Sequence, residues 1–262
     1  MEQYKTISIF IKDKVAKVIL NRPEVHNAFN EVMISEITHA FNHLDTDNDV
    51  IVIILEGNGD SFCAGADLNW MKDVSNYDYD QNLEESIHLS ECFYTIYTCT
   101  KPTIAKVHGA AIGGANGLLA SCDISVSLDD TVFSLSEVKI GIVPACISPY
   151  IVKRIGEMSA REMMLTGQRF NGIKAKELRL INFTGTPESV DIYINQIVSS
   201  LKTSGPVAMK TCKELLYNIS NKWSLDEAKI ETAKLIATLR ASEEGQEGMQ
   251  AFLEKRKPKW TS

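Results

Sequence analysis

Residues 108 to 123 read HGAAIGGANGLLASCD, an apolar stretch of helical length that is entered through glycines and an asparagine. Gly is among the poorest helix formers and Asn is little better, so a helix built only to pack would open on stronger residues. The preceding PTIAKVHG has the pattern of a buried strand and GLLASCD that of a helix. Gly113 and Gly114 therefore fall in the strand-to-helix turn, with N–H groups not yet paired inside the helix. Such groups attract a negative oxygen; glycine lets a ligand come close, and the positive end of the helix adds to the pull. A plain tight turn would also ask for glycine here, and both readings stand on this segment alone. A second stretch, VIVIILEGNGDSFCAGADLNWM, repeats the arrangement with a strong strand, a turn, and the small-residue bend from Phe62 to Leu68. Two separate strands each deliver a small-residue loop.

Other residues invite chemistry and have simpler explanations. His39 and His43, four apart, match a metal-ligand spacing but lack a carboxylate-bearing zinc motif, so they read as helix surface, and no metal is expected. His108 reads as an end-of-strand histidine. Cys63 and Cys146 adjoin the loops without an activating histidine or a catalytic cysteine signature. The six cysteines, at 63, 92, 99, 122, 146 and 212, form no CxxC pair and sit mostly in apolar runs, which predicts reduced thiols in a reducing compartment.

The elements that must carry these loops are legible at coarse grain. At 262 residues and 44% hydrophobic, the chain can bury the core of one large domain or two modest ones. Up to about residue 200, β-branched runs (SIFI, VAKVIL, VIVIILEG, PTIAKVHG, DISVSL) alternate with helical patterns such as EVMISEITHAFNHLD, the signature of a mixed α/β sheet with crossover helices. Residues 201–262 read as helices alone, giving an expected division into 1–200 and 201–262. Ser148 before Pro149 is an expected N-cap, Ser159 to Glu162 an expected capping box on a helix closing at Gly167, and Asn171 a further cap. The polar DVSNYDYDQNLEES at 73 to 86 reads as an irregular lid. A net charge of -7 offers no overall basic field for nucleic acid, and the closing KRKPKW suits a local anion better than a polymer. No signal-peptide pattern and no apolar run of spanning length is present, which predicts a cytoplasmic protein without membrane insertion.

FCAGADL at 62 to 68, KPTIAKVHGAAIGGANGLLASCD at 101 to 123 and FSLSEVKIGIVPACISPYIVKRIG at 133 to 156 together resemble the crotonase superfamily of enoyl-CoA hydratases and isomerases. NRPEVHNAFN, LTGQRF and GMQAFLEKRKPKW extend the resemblance over essentially the whole chain in the family's order. It implies an α/β fold, the crotonase (ClpP-like) spiral of ββα units followed by a C-terminal helical trimerisation region, assembled as a homotrimer or dimer of trimers. It also implies an oxyanion hole for a thioester carbonyl made by the N–H groups of Ala66 and Gly114, and Glu137 as a catalytic carboxylate. Taken alone, Glu137 reads as a solvated carboxylate at a helix start. Asp123 is expected to bond backbone. The family usually carries Gly where this chain has Arg179, which predicts an altered helix stop.

The family's earlier glutamate maps onto Gly117. Hydration divides naturally between two carboxylates, whereas a lone one must take a proton from water and return it to the α-carbon. Double-bond isomerisation by a single base is the alternative, and an impaired acyl-CoA-binding protein a third. GGANGLLASCD with SEVKIGIVPACISPYIVKRIG looks like the subgroup acting on methylglutaconyl-CoA or carboxygeranoyl-CoA in leucine and isoprenoid breakdown, which favours hydration. A carboxylated acyl group would want a cation, with Lys139 and Arg154 as candidates. Asn116 reads as a cap or turn residue or as a holder of the water. Coenzyme A arrives as part of the substrate, so no separate cofactor is expected. By resemblance its contacts fall on Val25 and His26, on Ala64, Asp67 and Leu68, on Gly113 and Gly117, and on Phe252 and Lys255 of the last helix.

Overall fold

A computed structural model describes residues 4 to 261. Two units are present: one runs to Cys99 and resumes over Thr103–Ile194, and the other joins Thr100–Pro102 to the chain from Asn195 onward. Strands β1 (Ile7–Lys12) and β2 (Val15–Leu20) form an antiparallel hairpin. Helix α1 (Glu31–Thr46) follows, then β3 (Val52–Gly57), α2 (Leu68–Val74), α3 (Tyr79–Thr98), β4 (Thr103–Val107), β5 (Ala110–Ile112) and α4 (Ala115–Ser121). The chain continues through β6 (Ile124–Leu128), β7 (Val132–Ser134), α5 (Ser148–Thr166), β8 (Arg169–Phe170), α6 (Gly172–Glu177), β9 (Phe183–Gly185) and α7 (Pro187–Lys202). Helices α8 (Pro206–Asn221), α9 (Leu225–Ala241) and α10 (Glu243–Leu253) close it. Among the described residues, no helix is long and apolar enough to cross a membrane.

The six-stranded sheet has the order β1-β2-β3-β4-β6-β9, parallel from β2 onward. Its central strands are buried on both faces, which explains why VIIL and TIA read as continuous apolar runs and not as alternations. A second, smaller layer holds β5, β7 and β8, extended by parallel bridges between Cys63 and Ala111 and between Phe29 and Ala66. Each turn of the chain therefore lays one strand in the large sheet, one short segment in the small layer, and then a helix. Met33, Ile34, Ile37, Ala40, Phe41 and Leu44 bury one stripe of α1, at the spacing of an amphipathic helix.

All seven residues of α4 are buried, so the groups at its ends need partners from within the protein. Arg154 supplies them at the C-terminal end. Its Nε donates to the Ala120 carbonyl at 2.9 Å, Nη1 to Leu180 at 3.1 Å, and Nη2 to Cys122. The guanidinium is thus a helix cap, with burial pulling its pKa down, and is not available to a substrate carboxylate. Lys139, the other expected cation, lays its stem along Gly167. Asp123 accepts the Thr103 N–H at 2.7 Å, as expected of a residue bonding backbone.

Four local expectations are corrected. Ser148 lies inside α5 with Ile147 at the cap, and its hydroxyl bonds back to the Ala145 carbonyl at 2.8 Å. The Ser159–Glu162 box does not form. Gly156, at φ 71 and ψ 165, breaks α5 three residues upstream, so Ser159 is already inside the restarted helix. Most of the expected lid is helix: α3 starts on an Asp78–Gln81 capping box and buries Cys92, Phe93, Thr95 and Ile96. The stop after α6 keeps the geometry that favours glycine, with Arg179 held at φ 65 while Leu180 N–H bonds the Ala175 carbonyl. Asn171 caps α6 and Gly167 closes α5 as expected.

Gly117 sits where no side chain fits. An ideal Cβ there would lie 2.4 Å from Cγ2 of Ile147 and 2.7 Å from Cε1 of Phe93, both side chains being buried. Gly117→Ala is expected to lower unfolding stability by about 1–3 kcal/mol in urea titration, because overpacking outweighs the better helix propensity of Ala; an unchanged midpoint would contradict the overlap. Arg179→Gly is expected to raise stability by up to about 1 kcal/mol, by relieving a left-handed non-glycine residue. A loss in the same titration would show that its conformation carries no strain.

Candidate active site

Three consecutive turns of the chain meet at the end of the small layer. Cys63 N–H bonds the Ala110 carbonyl at 3.0 Å and Ile112 N–H bonds the Cys63 carbonyl at 3.2 Å, fixing the first loop beside β5. Gly65, at φ 95, approaches so closely that a Cβ on it would lie 2.8 Å from the Ile112 carbonyl oxygen. Phe29 locks the same loop from the other side, its N–H bonding the Gly65 carbonyl at 2.8 Å and its carbonyl accepting Asp67 N–H at 2.9 Å. Between these two bonds, the Ala66 N–H has no acceptor among the described residues.

The β5-to-α4 turn behaves in a parallel way. Gly113 N–H is spent on the Ser134 carbonyl at 2.8 Å, so it does not offer the free donor expected of it. Gly114 is different: no described residue accepts its N–H, and the ring of Phe29 fills the space where its side chain would stand, Cζ being 2.5 Å from an ideal Cβ. Gly65 and Ala115 N–H are likewise unpaired. Trp70 meets the Phe29 ring edge-on at 5.7 Å.

Glu137 comes from the next turn, three residues after β7. Its Oε1 would lie 3.3 Å from a Cβ on Gly113, and its Oε2 is buried without a hydrogen-bond partner among the described residues. Burial pushes its pKa above the ordinary carboxylate range. A carboxylate desolvated in this way beside the glycine turn has the raised pKa that suits a proton carrier.

The remaining expected positions divide into those near these groups and those elsewhere. His26, at φ 53, accepts Ala64 N–H at 3.0 Å, which ties the Val25–His26 turn to the first loop. Asp67 is taken up structurally. It caps α2 and pairs with Arg22 at 2.7 Å; burial works to raise its pKa, and the Arg22 and α2 N–H bonds outweigh it and hold the carboxyl low. With its N–H also bonded, Asp67 has no donor left for a ligand. Leu68, at 81% exposure, opens α2. Gly117 is closed off by Phe93 and Ile147. Phe252 and Lys255 belong to the second unit, at the end of α10. His108 Nε2 bonds the Gly59 carbonyl at 2.8 Å, and burial pushes the Cys63 thiol up to about 12, so neither is poised for chemistry. A separate groove of about 660 Å³ between α1 and α3, bordered by Glu31, Glu85 and His88, contains none of the expected catalytic or substrate-binding residues.

Sequence reasoning missed Phe29, which locks one loop and packs on the other. Its signal was only an aromatic residue beside the NRPEVHNA turn.

Comparison with known proteins bears on this geometry. Residues 11–262 match the family described as Enoyl-CoA hydratase/isomerase. A putative enoyl-CoA hydratase of Thermus thermophilus is 32% identical, over 95% of this chain and 98% of the relative. A peroxisomal Delta(3,5)-Delta(2,4)-dienoyl-CoA isomerase of Arabidopsis thaliana is also 32% identical, over 99% of this chain and 98% of the relative. The crystal structure of an enoyl-CoA hydratase from Shewanella pealeana superposes with a TM-score of 0.95 at 39% identity, covering 98% of this chain and 97% of that one. The spiral of strand, short strand and helix is thus the crotonase fold. The chain belongs to the enoyl-CoA hydratase/isomerase family.

Proposed function

We propose that the protein hydrates the α,β double bond of an enoyl-CoA thioester, with coenzyme A entering only as part of that substrate. One observation carries the reading: the N–H groups of Ala66 and Gly114 find no acceptor among the described residues, and the Glu137 carboxylate, its Oε2 buried and unpartnered among those residues, stands beside Gly113, the neighbour of Gly114. In this reading the thioester oxygen accepts both N–H groups. Glu137 takes a proton from water as the water oxygen bonds to the β-carbon, and the π electrons move to the thioester oxygen as an enolate. The enolate then collapses, the α-carbon takes the proton from Glu137, and the carboxylate is restored. Each fixed donor facing the enolate oxygen contributes about 3 kcal/mol at the transition state.

The closure of position 117 supports a single-carboxylate mechanism, and it equally favours a second reading. A double-bond isomerase would use the same enolate, with Glu137 carrying a proton between the α and γ carbons. Arg154 is committed to three carbonyls, so a distal carboxylate of the methylglutaconyl type would need another cation, and we propose a neutral acyl chain. The free edge of the first loop from Ala64, beside Val25 and His26, is the proposed seat of the nucleotide. Phe252, 83% exposed, and Lys255 are proposed as contacts offered to a neighbouring copy in a trimer or dimer of trimers.

The test is incubation with straight-chain, branched and carboxylated enoyl-CoA thioesters in heavy water, following conjugated-thioester absorbance and mass. Loss of absorbance with gain of water is expected; deuterium uptake with a shifted double bond would assign isomerisation, and binding without turnover would contradict both. Glu137→Gln is expected to lower kcat by about 10²–10⁴-fold while leaving coenzyme A affinity intact, and wild-type turnover in that variant would remove Glu137 from the chemistry. Since Glu137 must be ionised to accept the proton and burial raises its pKa, activity is expected to fall on acidification at a pH above the ordinary carboxylate range. Stability has the opposite dependence. The folded carboxyl holds its proton where the unfolded one has lost it, so wild type is expected to lose stability relative to Glu137→Gln as pH rises between those two pKa values. Parallel melting curves across that range would contradict the burial.

A further inference from the structure

We infer that Asn116 is a positioning residue of the oxyanion site, an inference that rests on the reading of Gly114 as a donor to the thioester oxygen. Asn116 is fully buried in the first turn of α4, and its Nδ2 faces three backbone carbonyls: Ser134 at 2.9 Å, Gly113 at 3.0 Å and Ala111 at 3.1 Å. Those carbonyls belong to β7, to the glycine turn and to β5, so one amide group joins three segments that meet at the site.

The bond to Gly113 bears on the donor. In a trans peptide unit the C=O and the next N–H point in opposite directions. The Gly113 carbonyl is held from two sides, by Asn116 N–H at 3.0 Å and by Asn116 Nδ2, and fixing that carbonyl fixes the direction of the Gly114 N–H. Glycines on both sides of the peptide bond give the plane unusual freedom to rotate, so the orientation must be imposed from outside. Asn116 imposes it.

The bond to Ser134 extends the same control to the base. Ser134 O also accepts Gly113 N–H, and the chain runs from Ser134 through two residues to Glu137. Donor and carboxylate are therefore referenced to a single side chain. The arrangement has a cost, because Asn116 Oδ1 is left buried with no partner. An orphaned buried acceptor of that kind destabilises a fold. An apolar residue would avoid the penalty and would forfeit the two N–H donors shared among the three carbonyls.

The experiment uses Asn116→Ala and Asn116→Ser in the full-length protein. The readouts are circular dichroism, kcat and KM on the preferred enoyl thioester, and difference infrared spectra of a bound saturated acyl-CoA carrying a ¹³C=O label. In wild type the labelled carbonyl stretch is expected to shift to lower frequency on binding. In a folded variant the downshift is expected to shrink, with kcat lowered about 10–100-fold and KM kept within about three-fold, the pattern of a donor lost from the transition state. A folded variant with the full wild-type downshift and kcat would overturn the inference while leaving the oxyanion reading intact. Absence of any downshift in wild type would instead sink the oxyanion reading. Failure of both variants to fold would assign Asn116 to stability and overturn its positioning role.

Discussion

Parallel pairing brings neighbouring segments to an end at the same level, and the site depends on that constraint. Cys63 pairs with Ala111, and Ala111 pairs with Phe133, so the residues that follow each of them leave the small layer side by side. A chain leaving a ladder has N–H groups with no neighbour to bond. At Ala66 and Gly114 those groups stay open because Phe29 and Asn116 occupy the flanking carbonyls and hold the peptide planes still. One turn further on, the same stacking delivers Glu137. Ligand placement at the carboxyl ends of strands is a general property of parallel α/β architecture, and the unpaired amides here lie at the corresponding ends of the minor layer.

Part of the first unit's strain lies around the same place. Gly65 and Gly113 have positive φ, His26 and Asn27 adopt it without being glycines, and Asn116 Oδ1 and Glu137 Oε2 are buried without partners. Such features persist only where the surrounding structure enforces them. Here the enforcement comes from Arg154 on the far end of α4, from the Arg22–Asp67 pair under the first loop, and from Phe93 and Ile147 packed against Gly117. That last contact has a chemical consequence. It shuts out a second carboxylate at position 117, while Glu137 stands against the glycine turn.

Much of this was legible in the sequence, to the extent that local pattern reports it. The two small-residue loops, the α/β core and the helical C-terminus are visible because strand runs, glycine turns and amphipathic stripes are short-range signals. Local pattern did not separate the two glycine amides, and only the family resemblance singled out Gly114: Gly113 is spent on Ser134 and Gly114 is not, a distinction that depends on a strand about twenty residues away. Asp67 was a candidate by its place in the first loop and Arg154 by its charge, yet each has a partner distant in sequence. The stretch at 73 to 86 read as irregular because its polar face dominates, although only one stripe of α3 has to be buried. Arg179 shows the reverse error. The backbone keeps a left-handed stop at Arg179 although no glycine is there to permit it.

The central claim is that the Ala66 and Gly114 amides share one acceptor beside Glu137. A crystal structure with a saturated acyl-CoA thioester, which can bind without reacting, tests it most directly. The thioester oxygen is predicted to lie within about 3.2 Å of both amide nitrogens, with the Glu137 carboxylate facing the α and β carbons. A thioester oxygen bonded to neither amide, or an acyl chain seated away from Glu137, would contradict the account.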